Sequence, residues 1–417
     1  MRENIRGKGN RFDNRVSLVF CLYAVFTIVI YMLPMLKITL PYILVAPILL
    51  ASLLFFVYKS AKWMYMAVVL CLASLLIATI NLMTGAYALV DSINEMVRNI
   101  RFFIPVFWGC YVLKHGTEKQ KKFILAAFGI LCGYILFKTL DALEEVPDVC
   151  RELAKSTTYE SASRTSYRMQ NVGGFEYSYA MGIVTLGFVW TSVKAQKKLV
   201  RILSVLATIV CYYFIIQTMY TLLLILTFIG TVMIFFFATK SKILKTIIIA
   251  GSLAMIILME PLFKFLADIF SSNFGLEEKF TSMYLAIRYD DVDMVGSRPD
   301  LLLKAFVNWT KNPILGGRHV DSSSHSFIMT YLENSGIVGL GVWLTFFIFG
   351  WRMLRKEIQN YTKELSLFDS VMVYVFLLSF FNPIGYVFEV IFAAFFIIPI
   401  WCVMLKRREK RSEGMGV

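Results

Sequence analysis

Residues 202–259 read ILSVLATIVCYYFIIQTMYTLLLILTFIGTVMIFFFATKSKILKTIIIAGSLAMIILM, and Lys240, Lys242 and Lys245 are the only charged side chains among them. The stretch holds three runs close to the ~20 residues that cross a hydrocarbon core. Gln217-Thr218-Met219-Tyr220 and then the lysine cluster interrupt them. Runs this long, one after another, leave too little polar surface to face water, so lipid is the solvent that fits. Working outward, similar runs lie near 16–33, 40–58, 63–83, 98–113, 123–140 and 177–193 on one side, and near 336–351, 367–381 and 384–405 on the other. The span at 98–113 is the weakest, with an uninterrupted apolar part only from Phe102 to Leu113. Arg98 and Arg101 would reach back to the outer interface. The expected fold is an all-α polytopic membrane protein of about 12 transmembrane helices, a single membrane domain over 1–417.

Composition agrees. Of 417 residues, 58% are hydrophobic and 17% charged, and the mean hydropathy is +0.67. A formal charge of +14 would point to nucleic acid in a soluble chain. Here the basic residues gather in short segments between apolar runs, which fits topogenesis and anionic headgroups instead. With the N-terminus inside, the inner segments hold 27 of the 42 Lys and Arg although the outer ones are longer. Both termini are then expected in the cytoplasm. The polar, basic start from Met1 to Arg15, followed by an apolar run without a small-residue cleavage site, argues against a removable leader.

That orientation puts two long polar segments, 141–176 and 260–335, on the outer face, where they are expected to cap one site. The inner segments are short, and no GxxxxGK[ST] phosphate loop occurs, which disfavours an ATP-driven pump. Six of the seven cysteines lie in apolar runs, and Cys150 alone falls in a polar stretch, with no CxxC spacing for a metal. Residues 154–176 are rich in Ser, Thr and Tyr and read as an external loop in which Arg164 and Arg168 are solvated. Glu389 is the one carboxylate well inside an apolar run, which makes it a functional candidate or a charge paired locally.

The second outer segment is the most informative. It opens with an amphipathic stretch, Pro261 to Phe280, suited to a membrane surface. Asp290, Asp291 and Asp293 follow, a solvated patch without further ligands at metal spacing. Ser297-Arg298-Pro299-Asp300 then starts a helix, with Ser297 as cap, Pro299 in the first turn and Asp300 at capping-box distance. Leu302, Ala305, Phe306 and Trp309 give it a stripe, and Asn312-Pro313 stops it. Gly316-Gly317 allow a sharp turn before Arg318, His319 and the serines leading to His325. A second short helix, Phe327 to Asn334, runs through Gly336 into the tenth span.

Arg298, Trp309, Asn312-Pro313-Ile314-Leu315-Gly316, Ser324-His325-Ser326-Phe327 and Glu333-Asn334-Ser335-Gly336-Ile337-Val338-Gly339-Leu340 occur in this order just before the last spans. Together they resemble the signature of the O-antigen polymerase and O-antigen ligase superfamily, integral membrane glycosyltransferases with a large external helical loop and a GT-C-like fold. The match is close from Gly296 to Gly341 and looser elsewhere. What the resemblance implies is transfer of glycan from undecaprenyl-pyrophosphate-linked oligosaccharide, with no metal or cofactor, as in capsule or exopolysaccharide synthesis. A flippase and a chain-length regulator of the same pathway would be partners, and nucleic acid would not.

By motif, His325 corresponds to the family's general base and Arg298 to a pyrophosphate-binding arginine; otherwise Arg298 pairs with Asp300 or the acidic patch. Two positions depart from the pattern. Ser326 stands where the family usually has Asn, and Gln217-Thr218-Met219-Tyr220 stands where many members carry an arginine. Arg101, Arg164 and Arg168 are the candidates to replace it; Arg318 beside Gly317 is a further phosphate candidate, Glu389 remains the intramembrane candidate, and His319 is peripheral. The leading expectation is a polymerase joining lipid-linked repeat units. A ligase serving another lipid or wall acceptor is its near relative. A lipid-linked oligosaccharide flippase is the rival, although paired repeats and charged midplane helices, the usual marks of a transporter, are missing from the sequence.

Overall fold

The computed structural model describes residues 3–39, 61–154, 162–239, 241–272, 277–278, 280–281, 284–285, 288, 298–317, 326–362, 364–382 and 387–413. Every regular element among them is helical. In chain order these are α1 (Glu3–Met32), α2 (Pro34–Thr39), α3 (Ala61–Met83), α4 (Leu89–His115), α5 (Glu118–Glu145), α6 (Val149–Ala154), α7 (Ala162–Met169), α8 (Phe175–Lys194) and α9 (Lys198–Gln217). There follow α10 (Thr221–Ala238), α11 (Lys242–Ile257), α12 (Met259–Ile269), α13 (Arg298–Lys311), α14 (Phe327–Gln359) and α15 (Ser366–Phe381). The last are α16 (Phe388–Phe392), a π-helical turn Ala393–Ile397 and α17 (Ile398–Glu413).

Among the described residues five helices are long and apolar enough to cross a membrane: α5, α9, α10, α14 and the continuous stretch Phe388–Leu405. Shorter apolar segments, Leu18–Met32, Val68–Met83 and Ser366–Phe381, join them in the bundle. Each apolar run expected from the sequence falls on or overlaps a helix, apart from 40–58, which lies outside the described residues; the helices under 98–113, 177–193 and 243–259 are not among those long and apolar enough to cross a membrane. The run 98–113 is the later part of a longer helix, α4. Leu89, Val90 and Ile93 extend it toward its start, and it runs through Pro105 to His115.

Consecutive long helices run antiparallel, so the chain has two ends. The first end gathers the connections after α1, α3, α5, α9 and α15, together with α6, α7, α12 and α13. The second end gathers the connections after α4, α8, α10 and α14. Between them the core is aromatic. Trp108 of α4 is fully buried, with Phe20, Tyr23, Phe392 and Phe396 at ring-centroid distances of 5.4 to 5.9 Å. The π turn lies in this core, and its five residues are buried.

The polar stretch 141–176 has helices and a small core of its own. Ala142, Leu143, Val149, Cys150, Leu153 and Val172 form a small apolar cluster, because α6 and the end of α5 fold their apolar sides together. Cys150 is buried in it, with its thiol directed at the Gly173 carbonyl, 3.4 Å away. Burial pushes that thiol up to about 12. Gly173 in turn donates its N–H to Thr139 Oγ1 at 2.8 Å. Arg164 was expected in solvent and is buried, with 8% of its surface exposed. It sits on α7, which packs against α2. The amphipathic start of the second outer segment is a helix, α12, whose Phe263 and Ala267 cover Met219 and Phe280.

Candidate functional site

The two halves of the signature meet at the first end of the bundle. α13 stops at Lys311, since Pro313 has no N–H to continue it. A tight turn follows: the Gly316 N–H donates to the Asn312 carbonyl at 2.9 Å, and Asn312 Nδ2 donates to the Gly316 carbonyl at 2.5 Å. This turn lies across α14 where α14 is kinked. Gly336 has φ 61° and ψ −165°, non-helical values inside an otherwise continuous helix. An unbroken helix would join the Ile337 N–H to the Glu333 carbonyl. Here Gly317 donates to the Glu333 carbonyl at 3.0 Å, while Ile337 and Val338 donate to the carbonyls of Pro313 and Ile314 at 2.9 and 3.2 Å. The helical bonds of the Glu333 carbonyl and the Ile337 and Val338 N–H groups are thus replaced by bonds to the turn.

The glycines make this clasp. Gly316 and Gly336 both have positive φ, the left-handed region that disfavours a Cβ. They also face each other's strands, so a Cβ on Gly316 would collide with the Asn334 backbone and one on Gly336 with the Ile314 carbonyl.

Three successive side chains on α14 then reach three different elements. Glu333 is fully buried, and its Oε1 accepts from Asn308 Nδ2 of α13 at 2.7 Å. Asn308 Oδ1 accepts from Lys311 Nζ at 3.0 Å, so the amide bridges an ammonium to the carboxylate. Asn334 Nδ2 donates to Tyr87 Oη at 2.7 Å, in the turn after α3. Ser335 Oγ donates to Asn81 Oδ1 of α3 at 2.6 Å. Two atoms remain over. Glu333 Oε2 and Asn81 Nδ2 are buried without a hydrogen-bond partner among the described residues. Each such atom costs about 1–3 kcal/mol when uncompensated, which exceeds the effect of most surface substitutions.

A second polar chain starts from Ser326, where the family pattern has Asn. Ser326 caps α14, its Oγ accepting from the Met329 N–H at 3.2 Å. Serine does this well, so the departure preserves the helix start. The next N–H, of Phe327, donates to the Asn382 carbonyl at 3.1 Å at the end of α15. Asn382 Nδ2 donates to Tyr179 Oη at 2.8 Å, and Tyr374 Oη donates to the Tyr179 carbonyl at 3.1 Å. Tyr179 stands 5.8 Å from the Tyr220 ring, and Tyr220 Oη donates to the Cys150 carbonyl at 2.5 Å.

The sequence candidates distribute as follows. Arg318, His319 and His325 lie in 318–325, outside the described residues, as do Ser297 and the aspartates at 290, 291 and 293. The ends of 318–325 are fixed: Gly317 is bonded to Glu333, and Ser326 caps α14 two turns earlier on the same helix, roughly 10 Å along its axis. Arg298 opens α13 and Arg101 lies within α4, and the side chains of both fall outside the described residues. Arg168 Nη2 donates to the Leu153 carbonyl at 3.5 Å, a long bond that holds α7 against α6. Glu389 is buried in the first turn of α16, where a helix N-terminus favours a carboxylate. The corner Gln217–Tyr220, where many family members carry arginine, holds the buried Met219 at φ 57°, under Phe263.

Sequence reasoning passed over Glu333, Asn308, Asn81 and Tyr87. The available signals were a polar triplet, Glu333-Asn334-Ser335, opening an apolar run, and a lone Asn81 inside another. Among the described residues no group of three or more His, Cys, Asp or Glu gathers as metal ligands would. No protein-family model matches the chain, and no curated protein is similar enough to count as a relative.

Proposed function

We propose that the chain is an integral membrane glycosyltransferase that polymerises glycan repeat units carried on undecaprenyl pyrophosphate, in a bacterial cytoplasmic membrane. In this reading about twelve spans place both termini in the cytoplasm and the first end of the bundle outside. The acceptor hydroxyl attacks C1 of the donor sugar, the bond from C1 to the pyrophosphate oxygen breaks, and His325 takes the hydroxyl proton. Arg298 stabilises charge on the departing pyrophosphate with its planar fork. A positioned base of this kind is worth about 10²–10⁴ in rate. Glu333 is the carboxylate that orients the attacking group, with Asn308 holding its other oxygen.

The clasp is the observation that supports this reading. It joins the two halves of the signature on either side of 318–325, and it leaves a buried carboxylate oxygen with spare capacity beside them. Structural packing alone would favour filling that capacity, because a buried, half-partnered carboxylate is costly.

Reconstitution of the purified chain with lipid-linked oligosaccharide as the single substrate tests the proposal. A ladder of growing glycan is expected, and His325→Ala and Arg298→Ala should each abolish it while the protein stays in the membrane. Product that forms only after a second, different acceptor is added would convert the reading to a ligase. Translocation without bond formation would convert it to a flippase and remove the catalytic roles.

A further inference from the structure

α13 has its amphipathic sides reversed for a helix that lies in water. Its bundle side carries Ala305, which is buried, and Asn308, which is bonded to Glu333. The side turned away carries Leu303, Phe306 and Val307, with 62%, 48% and 49% of their surface exposed. Three- and four-residue spacing puts these on one face together with Thr310. Lys304 and Lys311 flank that face on one edge, and Trp309 stands 5.3 Å from Phe306, its indole N–H donating to the Pro313 carbonyl.

The apolar surface does not stop at the end of the helix. Ile314, 63% exposed, follows in the turn, and its carbonyl accepts from Val338 of α14. Ile337, the residue before, is 55% exposed, and Ile348 and Phe349 continue outward-facing along α14. α14 is itself long and apolar enough to cross a membrane. The exposed apolar residues of α13 are therefore joined, through Ile314 in the turn, to the helix whose outward side chains would face lipid. In water an exposed apolar strip of this extent is unfavourable, whereas an interfacial helix needs such a strip bordered by lysines and aromatic rings.

We propose that α13 is an interfacial helix that docks on the bilayer surface. Leu303, Phe306 and Val307 enter the acyl boundary, while Lys304 and Lys311 lie at the level of anionic headgroup phosphates. The proposal rests on exposure, spacing and the link to α14, and it stands whichever reaction the chain performs.

Spin labels on the full-length chain in lipid nanodiscs test it. Single cysteines at positions 303, 304, 306 and 307 would be introduced on a Cys71→Ser background, since the other native cysteines are buried. Labels at 303, 306 and 307 should collide with oxygen several-fold more often than with a soluble nickel chelate, and the label at 304 should show the reverse preference. Nickel accessibility at 303 and 306 equal to that at 304 would overturn the docking. So would dipolar broadening between labels on different chains, which would give the face to a second copy. A control with the triple variant Leu303→Ser, Phe306→Ser, Val307→Ser reports on folding, because these side chains contribute little to the interior. Its main peak in size exclusion should be retained, while hydrogen exchange of α13 amides in nanodiscs should rise. Unchanged exchange in that variant would likewise count against lipid contact. Replacing a mixture containing phosphatidylglycerol by phosphatidylcholine alone should raise nickel access at 304, and no change would remove the anionic headgroup from the proposal.

Discussion

The two ends of the bundle handle buried polarity in opposite ways. At the second end the charged groups are matched. Lys121 is buried, yet its Nζ donates to the Leu113 carbonyl at 2.9 Å and sits 4.9 Å from the centre of the Tyr361 ring. Tyr361 Oη donates to the same carbonyl at 2.6 Å. Lys194 pairs with Glu364 at 2.9 Å, and Asp369 accepts from both Trp351 and Arg355. Thr117 and Gln120 close a reciprocal capping box at the start of α5. At the first end Arg164 and Glu389 are buried as well as Glu333, and the network around Glu333 stops short of closure at Glu333 Oε2 and Asn81 Nδ2. An end that holds helices together gains from matching its buried charges. Under the proposed function the first end receives substrate and keeps valences open, held by backbone bonds between Gly316–Gly317 and the kink in α14.

The comparison breaks first if the clasp is dispensable. Gly336→Ala combines a left-handed backbone with a collision against the Ile314 carbonyl, so it should destabilise by about 3–5 kcal/mol. Loss of detergent-stable protein in a thermal shift series would show this. Gly129→Ala, in α5 with open space around it, serves as control and should be neutral or stabilising by about 0.5–1 kcal/mol. Equal behaviour of the two variants would mean that the clasp does not hold the first end.

The second end sharpens the contrast. Lys121→Met keeps the aliphatic stem but removes a charged donor from the Leu113 carbonyl, at a cost of about 1–3 kcal/mol. The Tyr361 hydroxyl still satisfies that carbonyl, so adding Tyr361→Phe should cost more than the sum of the single changes. Glycan synthesis per folded molecule should stay as it was. A loss of activity from Lys121→Met at unchanged stability would erase the distinction between the ends. A smaller effect is expected at the first end from Asn334→Ala, about 1 kcal/mol for a single neutral hydrogen bond to Tyr87.

Much of this was legible in the sequence, and what was not has a common cause. The helix from Phe327, its break at Gly336, the stop at Asn312-Pro313 and the turn at Gly316-Gly317 all follow from local rules about glycine, proline and period. The same rules gave no hint that the two glycine sites interlock, because that pairing joins residues twenty apart through backbone atoms that every sequence shares. Residues 141–176 read only as a polar outer segment, since their apolar side chains are scattered. Only the fold of α6 against the end of α5 collects them around Cys150. α4 looked short because Arg98 and Arg101 interrupt its apolar run, although charges at one end of a helix do not end it. Glu333 carried the opposite disguise: as one letter of a motif it was visible, and its importance depended on Asn308, a partner supplied by another helix.

The smallest effect on stability should come from Glu333→Gln, and it is the most informative. The substitution keeps size and shape and exchanges a carboxylate for an amide. If the side chain turns its new carbonyl toward Asn308 Nδ2, the existing bond survives and the NH₂ takes the unpartnered position, so stability should change by less than about 1 kcal/mol. An amide cannot accept a proton or hold a donor as strongly as a carboxylate does. Under the proposed reaction, glycan synthesis should therefore fall by about 10²-fold or more, while lipid-linked substrate is still retained in a pull-down. Glu333→Asp, which keeps the charge but shortens the reach, should recover part of the rate. A Glu333→Gln protein with full activity would show that the open oxygen at the first end is a packing defect, and the two ends would then differ in charge alone.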